Sequence, residues 1–224
     1  MDKKGVVETL QKMSGLVGLV DRETTLIAYY EGSIEPPIMS TEIIWRDISE
    51  VKQSINACLV GNIDYQEHVA SSFSPKQVVY AGEIQTGFVV WEAANKPLLR
   101  LKKELSLFPQ EMKEGLLNYY REQVTLELKP AQQAALKGDS HALVGNFFKI
   151  VSYWNHLLFT LNDRYLLDQL GAVKQIASFS LKPVYYLVRV EQAYQYFASH
   201  NTKLGFEEYN AIQEEINHLL KENS

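Results

Sequence analysis

The stretch from Asp139 to Val173 places the tightest limit on what this chain can fold into. Eight apolar residues recur along it at gaps of three and four, so one face of an α-helix carries them. They are Leu143, Phe147, Ile150, Val151, Trp154, Leu157, Leu158 and Leu161. Asp139 or Ser140 can cap the first turn. About 23 residues at roughly 1.5 Å each make a rod of roughly 35 Å, and its bulky apolar face predicts that other helices pack around it.

Before residue 93, the pattern is a mixture of short strands and helices. A run of β-forming residues predicts a strand at 25–30. Alternation predicts a second strand at 41–45, with Glu42 and Ile44 on one face and their neighbours on the other. The remaining predicted elements are helices at 5–14, 49–60 and 65–72 and extended segments at 77–80 and 87–91.

After residue 93, every predicted element is a helix. Besides the central helix, the periodicity predicts helices at 97–106, 109–128, 182–198 and 206–222, with Pro130 interrupting the second or beginning its continuation. The chain is therefore predicted to be α+β. A small, incomplete mixed sheet with flanking helices would occupy about 1–93, and an antiparallel helical bundle would occupy about 94–224.

Composition excludes several classes of protein. The formal net charge of −5 argues against a broad nucleic-acid surface, although it allows a small basic cleft for a nucleotide. The single cysteine, Cys58, excludes an internal disulfide framework and a cysteine-based zinc cluster, which favours the cytoplasm. No apolar run approaches the roughly 18 residues of a membrane span, so no membrane partner is expected.

Two places in the sequence are candidates for chemistry. Glu42 lies within an apolar strand pattern, where it belongs either to a solvated face or to a cleft that binds a metal. Asn162, Asp163, Arg164 and Tyr165 follow the central helix, and they form either a capping arrangement with an ion pair or a polar cluster that lines a cleft. The five histidines have no i, i+4 pair of the kind that a helical zinc site uses.

Several segments together resemble one bacterial family. They are Val79-Tyr80, 87–92, 98–105, Phe108-Pro109, 137–139, 157–165, Gly171-Ala172-Val173 and Leu181-Lys182-Pro183, preceded by 41–46 and the helix that follows. In their order and spacing they look like the nucleotidyltransferase-domain proteins of the polymerase β-like superfamily. The resemblance covers roughly residues 25–195.

The resemblance implies a specific catalytic apparatus, from which this sequence departs. In the family, an Asp-x-Asp strand follows a Gly-Ser turn and holds the Mg²⁺ ions that bridge the nucleotide's phosphates. No such motif, neither Asp-x-Asp nor Asp-x-Glu, is recognised in this sequence at the expected place. Glu42 would match the third carboxylate and would be the one metal ligand and catalytic acid left. Where the family carries Glu-Lys, this chain has Gln169-Leu170 and loses a lysine that could contact phosphate.

Three functional interpretations follow. In the first, the chain is a nucleotidyltransferase-like protein that lacks independent catalysis, with Mg²⁺ as a cofactor only if it is active and with nucleotide as a candidate partner. In the second, it is a non-catalytic helical interaction module that forms a homo-oligomer, because an incomplete sheet leaves an open edge. In the third, it is an N-terminally truncated copy of an active enzyme.

Overall fold

A computed structural model describes residues 3–22, 25–32, 43–70 and 72–223 of the chain. Within these residues the protein is α+β, as predicted, with a four-stranded mixed sheet, a two-stranded sheet and nine helices. In chain order the elements are α1 Lys3–Leu10, β1 Leu16–Arg22, β2 Thr25–Tyr30, β3 Ile43–Asp47, α2 Ile48–Leu59, β4 His68–Val69, β5 Ser74–Pro75, α3 Lys76–Thr86, β6 Phe88–Glu92, α4 Pro97–Glu104, α5 Gln110–Leu136, α6 Ser140–Leu161, α7 Ala172–Ile176, α8 Tyr186–Ala198 and α9 Thr202–Asn223.

The larger sheet has the strand order β3-β2-β1-β6. β1 is antiparallel to both of its neighbours, whereas β2 and β3 are parallel. One of its two inner strands, β1, was not predicted, because Gly15 and Gly18 interrupt the apolar pattern. Packing disfavours a larger residue at Gly18, because the Leu98 side chain would have to move. A Cβ atom at this position would lie 2.4 Å from Cδ1 of Leu98 in α4, well inside van der Waals contact.

Two short predictions were wrong. Instead of a helix at 65–72, the described residues of this segment contain the two-residue strand β4. Residues 77–80, predicted as extended, belong to the helix α3. Seven consecutive residues of α3, from Val78 to Ile84, are buried. A helix buried on all sides loses the apolar stripe by which sequence periodicity is detected.

The chain divides into two compact units. The first comprises the described parts of 1–67 and 75–112, and the second comprises those of 68–74 and 113–223. The predicted domain boundary at residue 93 stays a prediction.

In the first unit, one face of the larger sheet packs against α1. Val6 and Leu10 of α1 contact Leu19, Leu26 and Ala28 in a buried cluster. The strand registers place Ile43 and Trp45 opposite Leu26 and Ala28, and both pack partly against the same cluster. The residues that alternate with these along each strand lie on the opposite face. One of them, Arg46, contacts α3. The sheet therefore has an α1 face and an α3 face.

In the second unit, the predicted central helix is α6. Asp139 is its N-cap, and its Oδ1 accepts a hydrogen bond from the backbone N–H of Ala142 at 3.0 Å. Aromatic rings of other helices pack on it: Phe197 lies 4.9 Å from Phe147, and Tyr209 lies 5.3 Å from Trp154, both measured between ring centroids. This arrangement confirms that α6 is a packing centre.

The predicted helix before α6 is longer than expected. α5 is one helix through Leu136, and Pro130 lies inside it rather than at a break. No helix of the described residues has the length and apolar character needed to cross a membrane.

Candidate functional site

The sequence-predicted site residues lie in two places. Glu42, the candidate catalytic acid and metal ligand, lies outside the described residues, so its role stays a prediction. Asn162 is the C-cap of α6. Its Nδ2 donates to the carbonyls of Leu158 and Leu181 at 2.7 and 2.8 Å, and its Oδ1 accepts from the N–H of Leu181 at 3.1 Å. The Asn162 amide is thus engaged in holding the next segment against the end of α6.

The three residues after Asn162 have different surroundings. Asp163 has a positive φ of 55°, and its Oδ1 accepts from Nζ of Lys113 at 2.7 Å. The Arg164 guanidinium lies over the ring of Phe179 at 4.9 Å, within cation–π range. Tyr165 is buried. Each side chain supports the turn after α6, and the prediction that the group lines a cleft stays a prediction.

The interpretation that Asp-x-Glu is absent was wrong, because Asp21-Arg22-Glu23 is an Asp-x-Glu at the end of β1. Glu23 lies outside the described residues. Asp21 pairs with Leu26 in the sheet register, which places it on the α1 face. Its Oδ1 lies 2.5 Å from Nζ of Lys3 in α1. An ammonium group therefore occupies the side of this carboxylate that faces α1.

The α3 face holds a buried ion pair that sequence reasoning also missed. Arg46 of β3 donates from Nε and Nη2 to the two carboxylate oxygens of Glu83, at 3.0 and 2.8 Å. The side chain of Glu83 is only 3% exposed and that of Arg46 is 20% exposed. Such a bidentate geometry satisfies both oxygens of a carboxylate that burial would otherwise penalise. A glutamate within an apolar run carries no sequence signal that its partner lies on a distant strand.

Two tyrosines flank this ion pair. The guanidinium of Arg46 lies 4.8 Å from the ring centroid of Tyr80. Tyr29 of β2 is fully buried, and its hydroxyl has no hydrogen-bond partner within the described residues. Burial, followed by the nearby Glu83 carboxylate, raises the pKa of Tyr29 well above its usual value. The phenol is therefore neutral at physiological pH and cannot serve there as a base.

A cavity of about 580 Å³ lies on the first unit, between α2 and the segment that leads into α3. Nζ of Lys76, at the start of α3, contacts Glu50 at 2.6 Å and Glu67 at 3.1 Å. The hydrogen bonds with Glu50 and then Glu67 raise the pKa of Lys76 above its usual value. Tyr80 donates its hydroxyl to the same Glu50 at 3.4 Å. The cavity wall is thus connected through Tyr80 to the buried Arg46.

In the second unit, the side chains of His156, which is buried, and Gln169, which is half-buried, converge on the backbone of Ser72. His156 contributes Nε2 at 2.6 Å from the Ser72 carbonyl oxygen, and Nε2 of Gln169 donates to the same oxygen at 2.9 Å. Oε1 of Gln169 accepts from Asn155 at 3.0 Å. Gln169 therefore has a structural role here. Its neighbour Leu170 is 86% exposed.

Metal-ligating side chains do not converge within the described parts of the chain. Across residues 3–22, 25–32, 43–70 and 72–223, no three His, Cys, Asp or Glu residues are placed to hold one metal ion. Glu23 and Glu42 lie outside those ranges, so the statement does not extend to them.

Comparison with known proteins finds similarity among solved structures, where three chains match. No protein-family model matches the sequence, and no curated protein matches it either. The chain is similar to a nucleotidyltransferase-like protein from Exiguobacterium sibiricum 255-15, with a TM-score of 0.47 and 11% sequence identity. The match covers 98% of this chain and 73% of that one. A likeness this distant does not decide what this chain does.

Proposed function

We propose that this chain is a nucleotidyltransferase-like protein that lacks independent catalysis. The resemblance in segment order and the missing Asp-x-Asp motivate the proposal. The observation that carries it is the pairing of Asp21 with Lys3 at 2.5 Å. The one acid of β1 that the structure describes is thus already matched by a cation of its own chain, which opposes the binding of a second cation there.

The arrangement of the sheet supports the same proposal. Asp21 shares the α1 face with Leu26 and Ile43. The alternation that the sequence predicts for residues 41–45 groups Glu42 with Ile44, on the other face. In that predicted arrangement the carboxylates of Asp21 and Glu42 would point away from each other and would not share a metal ion. Mg²⁺ in such enzymes is held by one or two carboxylates together with substrate phosphates, and phosphoryl-group transfer depends on that arrangement.

The test is an assay for nucleotidyl transfer. The purified chain is incubated with labelled ATP, GTP, CTP or UTP, Mg²⁺ and candidate acceptors, beside the variant Glu42→Gln. We expect no labelled product above that of the variant, because the metal site is incomplete. Robust transfer by the wild-type chain, abolished in Glu42→Gln, would overturn the proposal and would make Glu42 the metal ligand, with Asp163 or Arg164 to be tested as cleft residues.

A second candidate function is homo-oligomerisation through the sheet edge. β6 has one neighbour, β1, among the described strands, and its residue Phe88 is 73% exposed. An exposed edge strand with an apolar side chain is a surface that another strand can pair with. We expect self-association at high concentration in analytical ultracentrifugation, weakened by Phe88→Lys because a charge blunts an edge. A strict monomer in both forms would count against this function.

A further inference from the structure

The outer face of α4 carries a concentration of positive charge in a chain that is acidic overall. The stretch 96–104 contains four cations and one acid, Glu104, so its formal charge is +3, whereas that of the whole chain is −5. Lys96, Arg100 and Lys103 are spaced four and three residues apart, which places them along one side of the helix, and all three are exposed. None of these three belongs to an ion pair within the described residues. The charge of this face is therefore available to a partner.

The rest of α4 holds this face in place on the first unit. Leu98, on the inner side of the helix, is fully buried. Oε2 of Glu92 accepts from the backbone N–H groups of Leu98 and Leu99 at 3.0 and 3.3 Å, and it thereby caps the start of the helix. Nζ of Lys102 donates to the carbonyl oxygen of Gly87 at 2.5 Å. Lys102 is thus used inside the unit, and the other cations are presented on a well-supported helix.

Exposed leucines accompany the cations and narrow the choice of partner. Leu99 is 45% exposed and lies on the same side of α4 as Lys96 and Lys103, and Leu107, two residues after the C-cap Leu105, is 82% exposed. A partner that matches both features offers negative charge together with an apolar medium. Nucleic acid offers the charge, but its bases stack on aromatic rings, and α4 contains none. An anionic lipid surface offers headgroups to the cations and acyl chains to the leucines.

We propose that the outer face of α4, together with Leu107, is a contact site for an anionic lipid surface. Lys96, Arg100 and Lys103 lie at the headgroups, and Leu99 and Leu107 reach the boundary of the acyl chains. Such a contact lies in the plane of the interface and needs no helix that spans the bilayer. The expectation that the chain has no membrane partner was based on the lack of a spanning segment, so it does not exclude a surface contact. The inference does not depend on nucleotidyl transfer.

The test is co-sedimentation of the intact chain with lipid vesicles at low ionic strength. Vesicles of phosphatidylcholine alone are compared with vesicles of an equal mixture of phosphatidylcholine and phosphatidylglycerol, which is anionic. We expect the chain to sediment with the mixed vesicles and not with phosphatidylcholine alone. The bound fraction should fall as NaCl is added, because salt screens exposed charges. A chain that does not sediment with the mixed vesicles, or that binds both kinds equally, would show the proposal to be wrong.

Variants separate this face from diffuse attraction between the chain and an anionic surface. Arg100→Gln and Lys103→Gln should each lower the partition coefficient about fivefold, which corresponds to about 1 kcal/mol per cation near such a surface. Lys12→Gln, which removes an exposed cation of the same unit after α1, is the matched control and should have little effect. An equal loss in Lys12→Gln would contradict the assignment to α4.

Leu107→Ser distinguishes lipid from other anionic partners, because it keeps every charge. We expect it to lower the partition coefficient about tenfold, since a leucine side chain taken out of water contributes at least about 1.5 kcal/mol. Circular dichroism checks that each variant is folded. If Leu107→Ser binds the mixed vesicles as tightly as the wild type does, the attraction is through charge alone. That result would reject a lipid surface in favour of a nucleic acid or an acidic protein.

Discussion

Replacing Glu83 with Gln is expected to lower the free energy of unfolding of the first unit by about 3–5 kcal/mol, the cost of breaking a buried ion pair from one side. The substitution leaves the Arg46 guanidinium, which is four-fifths buried, without the carboxylate that meets it at 2.8 and 3.0 Å. The charge of an arginine cannot be relieved by loss of a proton in this pH range. The penalty therefore appears in full as lost stability.

The measurement is urea denaturation followed by tryptophan fluorescence. Trp45 and Trp91 are in the first unit and Trp154 is in the second. In a Trp154→Phe background, tryptophan fluorescence therefore reports the unfolding of the first unit alone. The double variant Arg46→Met/Glu83→Leu should recover most of the loss, because apolar replacements of a whole buried pair are often tolerated.

Glu67→Gln provides the matched control for this experiment, because Glu67 belongs to the same unit as Glu83. Glu67 contacts Lys76 at 3.1 Å, but the Glu67 side chain is 63% exposed, so water screens the interaction. We expect this change to cost at most about 1 kcal/mol. A Glu83→Gln variant no less stable than Glu67→Gln would contradict the assignment of a buried, mutually dependent pair.

The second large effect is expected from His156, through the pH dependence of stability. His156 is fully buried, its ring stacks on that of Tyr120 at 4.2 Å, and its Nε2 lies against the Ser72 carbonyl. Burial is the main cause that lowers the pKa of His156 to about 3, and the nearby His68 adds to it. The Ser72 carbonyl acts in the opposite direction, since it accepts from an N–H, but it does not outweigh burial.

The sign of the effect follows from proton binding in the two states. Between the ordinary pKa of about 6.5 and the folded value of about 3, the unfolded chain binds a proton at this residue and the folded chain does not. The contribution of neutral His156 to the free energy of unfolding is thus fully present above about pH 6.5. It is lost as the pH falls, by up to about 1.4 kcal/mol per pH unit.

The test compares wild type with His156→Gln from pH 8 to pH 4 in a Trp45→Phe/Trp91→Phe background, where Trp154 reports the second unit. The glutamine keeps an N–H donor but does not titrate, and its loss of ring packing should cost about 2–3 kcal/mol at pH 8. That difference should shrink or reverse at pH 4, because only the wild type loses stability through a buried histidine that stays uncharged when the unfolded chain binds a proton. The exposed His141→Asn is the control. A difference between wild type and His156→Gln that is constant with pH would refute the prediction.

Much of the helical second half could be predicted from the sequence because its signals are local. The face of α6 follows from apolar residues three and four positions apart, and its start follows from Asp139, whose side chain reaches an amide three residues away. The end of α6 and most of α9 carry the same kind of pattern. Pro130 was the exception. Its missing N–H and fixed φ predict a break, yet α5 continues through it as one helix.

The candidate sites could not be predicted in the same way, because their parts are distant in sequence. Arg46 and Glu83 are 37 positions apart, and Lys3 and Asp21 are 18 apart. The acid of β1 was visible in the sequence as Asp21-Arg22-Glu23 and was overlooked. The ion pair between Asp21 and Lys3 could not be predicted, because no local pattern around either residue indicates that the two are in contact.

The sequence by itself determined the α+β class, the long helix α6 and the absence of an Asp-x-Asp strand, since each depends on neighbours within one or two helical turns. Tertiary structure alone decided that Gly18 lies in an inner strand, since packing disfavours a larger residue where Leu98 approaches. It also decided that residues 78–84 form a helix buried on all sides, and that Lys76 joins Glu50 to Glu67 at the wall of a cavity. These features arise from contacts between distant segments, and such contacts leave no periodic trace in the chain.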